Sequence, residues 1–211
     1  MNTDKSHLPH LRIGINGRFL LHPYTGIGQY TLNLLEAMAK LDPSIEWVIG
    51  VPDAATLRPP LKRGKQAQGD SLLPNFHLLE IPPSAALPTA ALRNLVWEQF
   101  QLPRALKKAN VDLIHYPYPS NPRFKGFARP GQKPSKTIVT VHDVIPWSRP
   151  EYRKKLRTRL YQKNAQTAFK NADMIIAVSE ATALDLTDKI HFPYDHVKVI
   201  HEAASPVYTV E

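Results

Sequence analysis

The chain has 211 residues, no cysteine, and 27 Lys and Arg against 18 Asp and Glu, which gives a formal charge of +9. This length predicts one domain, or at most two small ones. The lack of cysteine excludes disulfides, thiolate metal ligands and cysteine nucleophiles, and it fits a reducing compartment such as the cytoplasm. No stretch approaches the ~20 apolar residues of a membrane span, and the first fifteen residues do not have the pattern of a signal peptide.

The positive charge is concentrated in one segment. Residues 151–170 carry seven basic side chains and one acidic side chain. Such a segment is typical of a solvated helix face, and it also fits a contact of residues 153–170 with anionic lipid at the inner face of a membrane. A nucleic-acid partner is not predicted, because the aromatic-rich basic stripes and motifs of RNA-binding proteins are missing.

The first third of the chain predicts a strand followed by a helix. Residues 11–15 alternate apolar side chains with small or charged ones, as in a strand. Over Gly26–Leu41, apolar residues recur at three- and four-residue steps, which predicts a helix with one buried face. Thr25 is a suitable N-cap because its hydroxyl can accept a hydrogen bond from an early helical N–H. Asp42 and Pro43 are expected to end this helix.

The rest of the chain continues the alternation of short apolar runs and helical patterns. Further strands are predicted over residues 45–51, 76–81, 111–116, 137–143, 172–179 and 197–203, and further helices over 89–109 (kinked at Pro103), 151–170 and 180–189. Strands buried on both faces and alternating with helices predict an α/β fold with a doubly wound, mostly parallel, Rossmann-like sheet. We expect a flexible arm over residues 1–10, one domain over 11–206, and the start of a linker over 207–211.

Two long proline-rich segments interrupt this pattern, over residues 52–75 and 117–136. Loops of such length in a compact domain are usually functional or disordered. We expect them to form exposed loops.

The carboxyl ends of the predicted strands mark a candidate site. Ligands of open parallel sheets bind beyond these ends, at one edge of the sheet, which we call the rim. The residues that follow the strands and should converge there are Asn16, Gly17, Arg18, His115, Tyr116, His142, Asp143 and Ser179.

The segment "TGIGQYT" places Gly26 and Gly28 at the start of a helix. Glycines let backbone N–H groups approach a ligand closely, and a helix N-terminus carries partial positive charge, so the pair fits a phosphate site. A glycine-eased turn explains the pair equally well. A dinucleotide site of the G-x-G-x-x-G type is disfavoured because Thr31 stands at the third position and the preceding loop is long. A nucleotide-binding dehydrogenase therefore ranks low.

His142 and Asp143 follow a strand directly in "TVHDVIP". A histidine there can donate or accept hydrogen bonds near neutral pH, and Asp143 could orient it or bind a sugar hydroxyl. A loop histidine satisfied by its surroundings is the alternative. No metal site is predicted, since no second histidine lies at helical ligand spacing. Ser179 is better explained as an N-cap than as a nucleophile, because no G-x-S-x-G elbow surrounds it.

Four segments in this order resemble one known family: "GINGRFLLHPYTGIGQYTLNLLEAMAKL", "DLIHYPYP", "TIVTVHDVIPWSRPEY" and "ADMIIAVSEATALDL…HVKVIHEA". The chain resembles the N-terminal, acceptor-side domain of the family-four, retaining GT-B glycosyltransferases. The resemblance covers residues 11 to 206. It implies an enzyme with two Rossmann-like domains that transfers a sugar from a nucleotide diphosphate sugar to a glycan or glycolipid acceptor. Retention of the anomeric configuration, and no metal or other cofactor, are also implied.

The resemblance assigns roles to individual residues. It implies that Gly26, Ile27 and Gly28 approach the donor diphosphate and that His142 reaches the donor sugar as the catalytic histidine. Arg18 and Asp143 match positions that line the cleft between the two domains, and His115 lies at the same rim of the sheet. Asn16 stands where many relatives have an aspartate, so no charged role is carried over to it.

The second domain of the family, which holds most of the nucleotide site, is expected to follow residue 211. We therefore expect the chain to be one half of a glycosyltransferase, with little or no activity alone. The alternative is a non-catalytic module that binds an acidic glycolipid or a partner protein.

Overall fold

The computed structural model describes residues 11–57, 75–120, 122, 134–149, 151 and 156–204. Several sequence predictions lie outside these residues. They are the arm over residues 1–10, the central parts of both proline-rich segments, the linker over 207–211, and the most basic part of the segment 153–170.

Seven parallel strands form the sheet in the order β3-β2-β1-β4-β5-β6-β7. Their bounds are β1 Arg12–Asn16, β2 Glu46–Val51, β3 Phe76–Glu80, β4 Leu113–Tyr116, β5 Lys136–Val141, β6 Met174–Ala177 and β7 Val197–Val199. The chain builds outward from β1 to β3 and then returns to β4 on the other side of β1. This reversal confirms the doubly wound, Rossmann-like fold predicted from the sequence.

Helices connect the strands. They are α1 Gly26–Leu41, α2 Ala90–Val96, α3 Leu102–Lys108, α4 Ile145–Ser148, α5 Leu156–Asn171 and α6 Glu180–Ile190. Short 3-10 turns cover Arg18–Leu21 and Tyr194–His196. None of the helices in the described ranges is long and apolar enough to cross a bilayer.

Different helices pack against the two faces of the sheet, so the strands are apolar on both sides. Trp47, Ile49 and Val51 of β2 pack in one cluster together with Leu35 of α1. Val48, which points the opposite way from the same strand, belongs to a second cluster with Leu102 and Leu106 of α3, Phe169 of α5 and Leu186 of α6. Alternation of side chains along a strand produces this division.

The bounds of α1 and its Thr25 N-cap are confirmed, whereas several strand ends were predicted too long. The strand predicted through Asp143 ends at Val141, and the strand predicted through residue 203 ends at Val199. Beyond β5 the side chains bond outside the sheet: His142 contacts Glu202, which follows β7, and Asp143 accepts from the N–H of Ile145. Apolar periodicity does not reveal where this change occurs.

The irregularity predicted at Pro103 lies one turn earlier. Residues Trp97–Gln101 form a π-helical turn between α2 and α3, in which the N–H of Leu102 donates to the carbonyl of Trp97. Pro103 has no N–H to donate to Gln99, so the preceding turn can widen. The buried Trp97 ring anchors this turn by donating to the carbonyl of Ile81 at 2.6 Å.

Candidate functional site

The candidate site lies at the carboxyl ends of β1, β4 and β5. The strand order places β4 between β1 and β5, and the order reverses between β1 and β4, which is where open α/β sheets bind ligands. His115 of β4 lies in register with Ile15 of β1 and Ile138 of β5. The rim residues that the sequence suggested from separate strands therefore come from adjacent strands.

The N-terminus of α1 is capped by a side chain. Thr25 Oγ1 accepts a hydrogen bond from the N–H of Gly28 at 3.1 Å. A Cβ on Gly28 would lie 2.3 Å from the carbonyl oxygen of His22 and 3.0 Å from that of Phe19. Gly28 is therefore required by the close approach of the preceding backbone, whatever else this turn binds.

Gly26 differs from Gly28 in its surroundings. A Cβ added at Gly26 would meet nothing within 4 Å. Gly26 is exposed and Ile27 is half-buried, and among the described residues neither N–H has a hydrogen-bond partner. These two groups form the open, positively polarised end of α1. The packing explanation therefore applies to Gly28, and the phosphate site stays a prediction for the end of α1 at Gly26.

Substituting the two glycines separately should distinguish these explanations. Gly28→Ala is expected to lower the free energy of unfolding by about 1–3 kcal/mol, because the His22 carbonyl must move. Gly26→Ala is expected to change it by less than about 1 kcal/mol, since the new methyl group enters open space. Urea unfolding followed by tryptophan fluorescence measures both, and equal losses would contradict the assignment.

His142 follows β5 and is held from three sides. Its Nδ1 lies 2.8 Å from Glu202 Oε1, and its Nε2 lies 2.9 Å from the carbonyl oxygen of Pro117. Its ring meets the Tyr30 ring of α1 at 4.8 Å and nearly at a right angle. Tyr30 follows the glycines by one turn, so the structure brings the histidine of "TVHD" against the first turns of α1.

His115 lies behind this contact and is buried. Its Nε2 is 2.8 Å from Thr140 Oγ1, which in turn is 3.2 Å from the Tyr30 hydroxyl. Burial, with a smaller contribution from nearby His142, lowers the pKa of His115 to about 4. This buried imidazole supports Tyr30 through Thr140, and a contact of His115 with a ligand stays a prediction.

Arg18 belongs to a second cluster. It forms an ion pair with Glu98, and its Nε donates to the Tyr118 hydroxyl at 3.2 Å. Asn16 Nδ2 donates to the same hydroxyl at 2.8 Å, while Asn16 Oδ1 accepts from the N–H of Arg18 at 3.1 Å. The guanidinium also lies over the Phe19 ring. The cation proposed to line the cleft is thus mostly engaged within the protein.

Glu98 completes this cluster from the π-helical turn. Its carboxylate accepts from the Tyr118 hydroxyl and from Ser120 Oγ. Burial raises the pKa of the Glu98 carboxyl above its usual range, although Arg18, Tyr118 and Ser120 all favour the ionised form. The cluster touches the His142 site through consecutive residues, since Pro117 contacts His142 and Tyr118 contacts Glu98.

Two of the residues that follow strands stabilise local structure. Asp143 is exposed, and its Oδ1 accepts from the N–H of Ile145 at 3.0 Å, where α4 begins. Ser179 Oγ accepts from the N–H of Thr182 at 3.1 Å, which confirms the predicted N-cap of α6. Thr31, at the third glycine position of a dinucleotide fingerprint, is buried and donates to the carbonyl of Ile27 at 2.7 Å.

Sequence reasoning missed five residues of the site: Tyr30, Glu98, Tyr118, Thr140 and Glu202. Tyr118 lies two residues after a predicted strand, Thr140 lies inside one, and Tyr30 falls one helical turn after the glycines, so position could have suggested Tyr118 and Tyr30. Glu98 and Glu202 carry no such signal. They reach the rim from the middle of a helical segment and from beyond the last strand.

Groups of three or more metal-binding side chains do not occur among the described residues. A cavity of about 380 Å³ lies away from the rim, beside the amino ends of β6 and β7, and includes Phe169, Lys170 and His196 in its lining. It shares no residue with the clusters around His142 and Arg18.

A doubly wound parallel sheet, with an open helix end and a strand-end histidine at its switch point, defines a Rossmann-like domain. The sequence matches the family model of Glycosyltransferase Family 4 over residues 24–205. The chain therefore belongs to Glycosyltransferase Family 4. None of the curated proteins compared with it matches.

Solved glycosyltransferase structures share this fold at low sequence identity. A UDP-glucose:anthocyanidin 3-O-glucosyltransferase in complex with UDP is 11% identical, with a TM-score of 0.57 over 94% of this chain and 54% of that one. A UGT transferase from Siraitia grosvenorii in complex with UDP is 10% identical, with a TM-score of 0.51 over 90% and 50% of the two chains. A glycosyltransferase from Rickettsia africae ESF-5 is 15% identical, with a TM-score of 0.47 over 92% and 43%. The chain thus spans about half the length of these proteins.

Proposed function

We propose that this chain is the acceptor-side half of a retaining glycosyltransferase that takes its sugar from a nucleotide diphosphate sugar. The observation that carries the proposal is the contact between His142 and Tyr30, with ring centroids 4.8 Å apart. It brings the strand-end histidine to the end of α1 where the N–H groups of Gly26 and Ile27 are open. A diphosphate at that end and a sugar beside His142 would lie next to each other.

The helix end suits the charge that develops in sugar transfer. As the bond between sugar and diphosphate breaks, negative charge grows on the departing phosphate oxygen. Fixed N–H groups and the helix dipole stabilise such charge without reorganising. The UDP bound by two structures of this fold supports a nucleotide as the leaving group.

The engaged state of Arg18 supports the need for a second domain. The Arg18 side chain is 18% exposed and paired with Glu98, so it has little charge to offer a diphosphate. We propose that the remaining positive charge comes from a second GT-B domain facing this rim. The isolated 211-residue chain should then have little or no transfer activity.

A transfer assay tests this proposal. The chain alone, and the chain combined with a second GT-B domain, are incubated with a panel of nucleotide diphosphate sugars while nucleotide release is followed. We expect turnover in the two-domain form alone. There, His142→Ala should lower kcat/KM by about tenfold or more, as expected for the loss of a hydrogen bond in the site.

His196→Ala is the matched control, because His196 is exposed and directly precedes β7, at the amino ends of the strands and away from the rim. Robust turnover by the chain alone would overturn the two-domain proposal, and an unchanged kcat/KM in H142A would remove His142 from the site. The anomeric configuration of the product, read by NMR, tests retention. A two-domain form that binds glycolipid without transferring sugar would favour the non-catalytic binding module.

A peripheral membrane contact is a second proposal, supported by one feature of α5. Leu160 and Tyr161 are 61% and 44% exposed, and they lie beside the exposed basic residues Arg159 and Lys163. Basic and apolar side chains together favour an anionic lipid surface. Liposome binding that ignored salt and lipid charge would contradict this contact. The cytoplasmic location stays a prediction.

A further inference from the structure

Glu202 reaches the site from beyond the last strand. β7 ends at Val199, and three residues later the Glu202 carboxylate lies 2.8 Å from Nδ1 of His142. The side chains of His142 and Glu202 are 21% and 45% exposed. The contact therefore lies at the surface of the rim, where Glu202 is accessible and its replacement does not disturb the core.

The two contacts of the His142 ring constrain which of its nitrogens can carry a proton. The Pro117 carbonyl can only accept, so Nε2 must carry a proton for the 2.9 Å contact to be a hydrogen bond. An ionised carboxylate also only accepts. At 2.8 Å from Glu202, an unprotonated Nδ1 would place two lone pairs against each other.

We propose that Glu202 is a positioning residue that keeps a second proton on Nδ1 of His142, so that the ring is a cation with both nitrogens donating. The Pro117 carbonyl and the Glu202 carboxylate together fix the plane of the ring. The cation is thereby held against Tyr30, next to the open end of α1. Its importance for sugar transfer rests on the function proposed above, whereas the proton count does not.

In this arrangement the rim holds a cation whose carboxylate partner is 45% exposed, whereas the partner of Arg18 is 13% exposed. The helix end at Gly26 and the His142 cation both favour an anionic ligand, and they approach the rim from adjacent elements. A nucleotide diphosphate has the matching charge. Glu202 balances the cation while the site is empty and can release its exposed bond when an anion arrives.

Groups from three elements and from the segment after β7 surround the His142 ring and backbone. Tyr30 comes from α1, and the buried His115 of β4 is close enough for mutual repulsion of charge. Thr182 of α6 donates to the His142 carbonyl at 3.1 Å. Glu202 supplies the negative charge that faces Nδ1.

Nitrogen NMR of the 211-residue chain labelled at histidine tests the proposal without any need for activity. Long-range proton–nitrogen spectra report whether each ring nitrogen is protonated, and His142→Gln assigns the signals. In the wild type we expect both ring nitrogens of His142 to be protonated. Glu202→Gln should show the loss of one proton, because the glutamine amide can donate to a bare Nδ1 and preserve the contact.

Asp195→Asn is the matched control, since Asp195 is an exposed carboxylate 3.9 Å from another histidine, His196. It should leave the His142 signals unchanged. A wild-type ring with one proton, or an E202Q ring that keeps two, would overturn the proposal. The signals of the other histidines report folding, and E202A provides a second variant that removes the carboxylate. Failure of sugar transfer in the two-domain enzyme would leave the NMR result standing, so the two proposals are separately testable.

Discussion

Arg18→Met is expected to lower the free energy of unfolding by about 3 kcal/mol near neutral pH, because it leaves the Glu98 carboxylate buried without its cation. The two side chains are 18% and 13% exposed, which places the expected loss at the lower end of values for broken buried pairs. Methionine keeps the apolar contact with Phe19 and fills similar space. Urea unfolding of the 211-residue chain measures the loss.

The loss of stability caused by Arg18→Met should become smaller toward acid pH. Burial already raises the pKa of the Glu98 carboxyl in the wild type, and removing Arg18 takes away a group that opposes this shift. A raised pKa in the folded state gives a contribution that is fully present below the unfolded pKa and is lost as pH rises through the folded pKa. The deficit of R18M relative to the wild type should therefore shrink toward acid pH.

Glu98→Gln provides the control for this prediction. The glutamine keeps a group that can bond Tyr118 but carries no charge, so the double variant R18M/E98Q should recover part of the loss. The double-mutant cycle then isolates the coupling between the two side chains. A deficit that stays constant between about pH 5 and about pH 8 would show that an uncompensated Glu98 charge is not its source.

His115 is expected to make the free energy of unfolding depend on pH in the opposite direction from Glu98. The folded chain holds His115 neutral, with its pKa lowered from 6.5 to about 4, chiefly by burial. A lowered pKa gives a contribution that is present above the unfolded pKa and lost as pH falls through the folded pKa. The full shift corresponds to about 3 kcal/mol of stability lost on acidification.

His115→Gln should make the chain less sensitive to acid between about pH 6.5 and about pH 4. The glutamine amide can replace Nε2 as the partner of Thr140, so the core contact is preserved without a titrating group. The test is the difference in unfolding free energy between wild type and H115Q across this range. His77→Gln, on the exposed face of edge strand β3, controls for the loss of one imidazole, and parallel pH curves for wild type and H115Q would contradict the prediction.

Local signals in the sequence predicted much of the fold. The spacing of Ile27, Tyr30, Leu34 and Met38 determines one apolar face, and Thr25 and Asp42 mark where α1 begins and ends. Such signals act within one or two turns of the chain, so they can be read without knowing what the helix packs against. Short apolar runs gave the strands, but their polar ends were misjudged because the partners of those ends come from distant segments.

The tertiary structure decided what the individual candidates do. The sequence treated Gly26 and Gly28 alike, yet the His22 carbonyl makes one of them a packing requirement and leaves the other open. Arg18 is bound by Glu98, which lies 80 positions later on a π-helical turn that no periodicity announces. Contacts of this kind depend on how loops return to the rim.

By itself, then, the sequence determined a parallel α/β domain of Glycosyltransferase Family 4 type with a glycine turn and a histidine at strand ends, because periodicity, caps and motifs are local properties. Only the tertiary structure decided that the histidine meets Tyr30 and Glu202, that His115 is buried and neutral, and that Arg18 is occupied. The physical reason is that burial and charge pairing arise between residues far apart in the chain, and they exist only once the strand order brings those residues to one edge of the sheet.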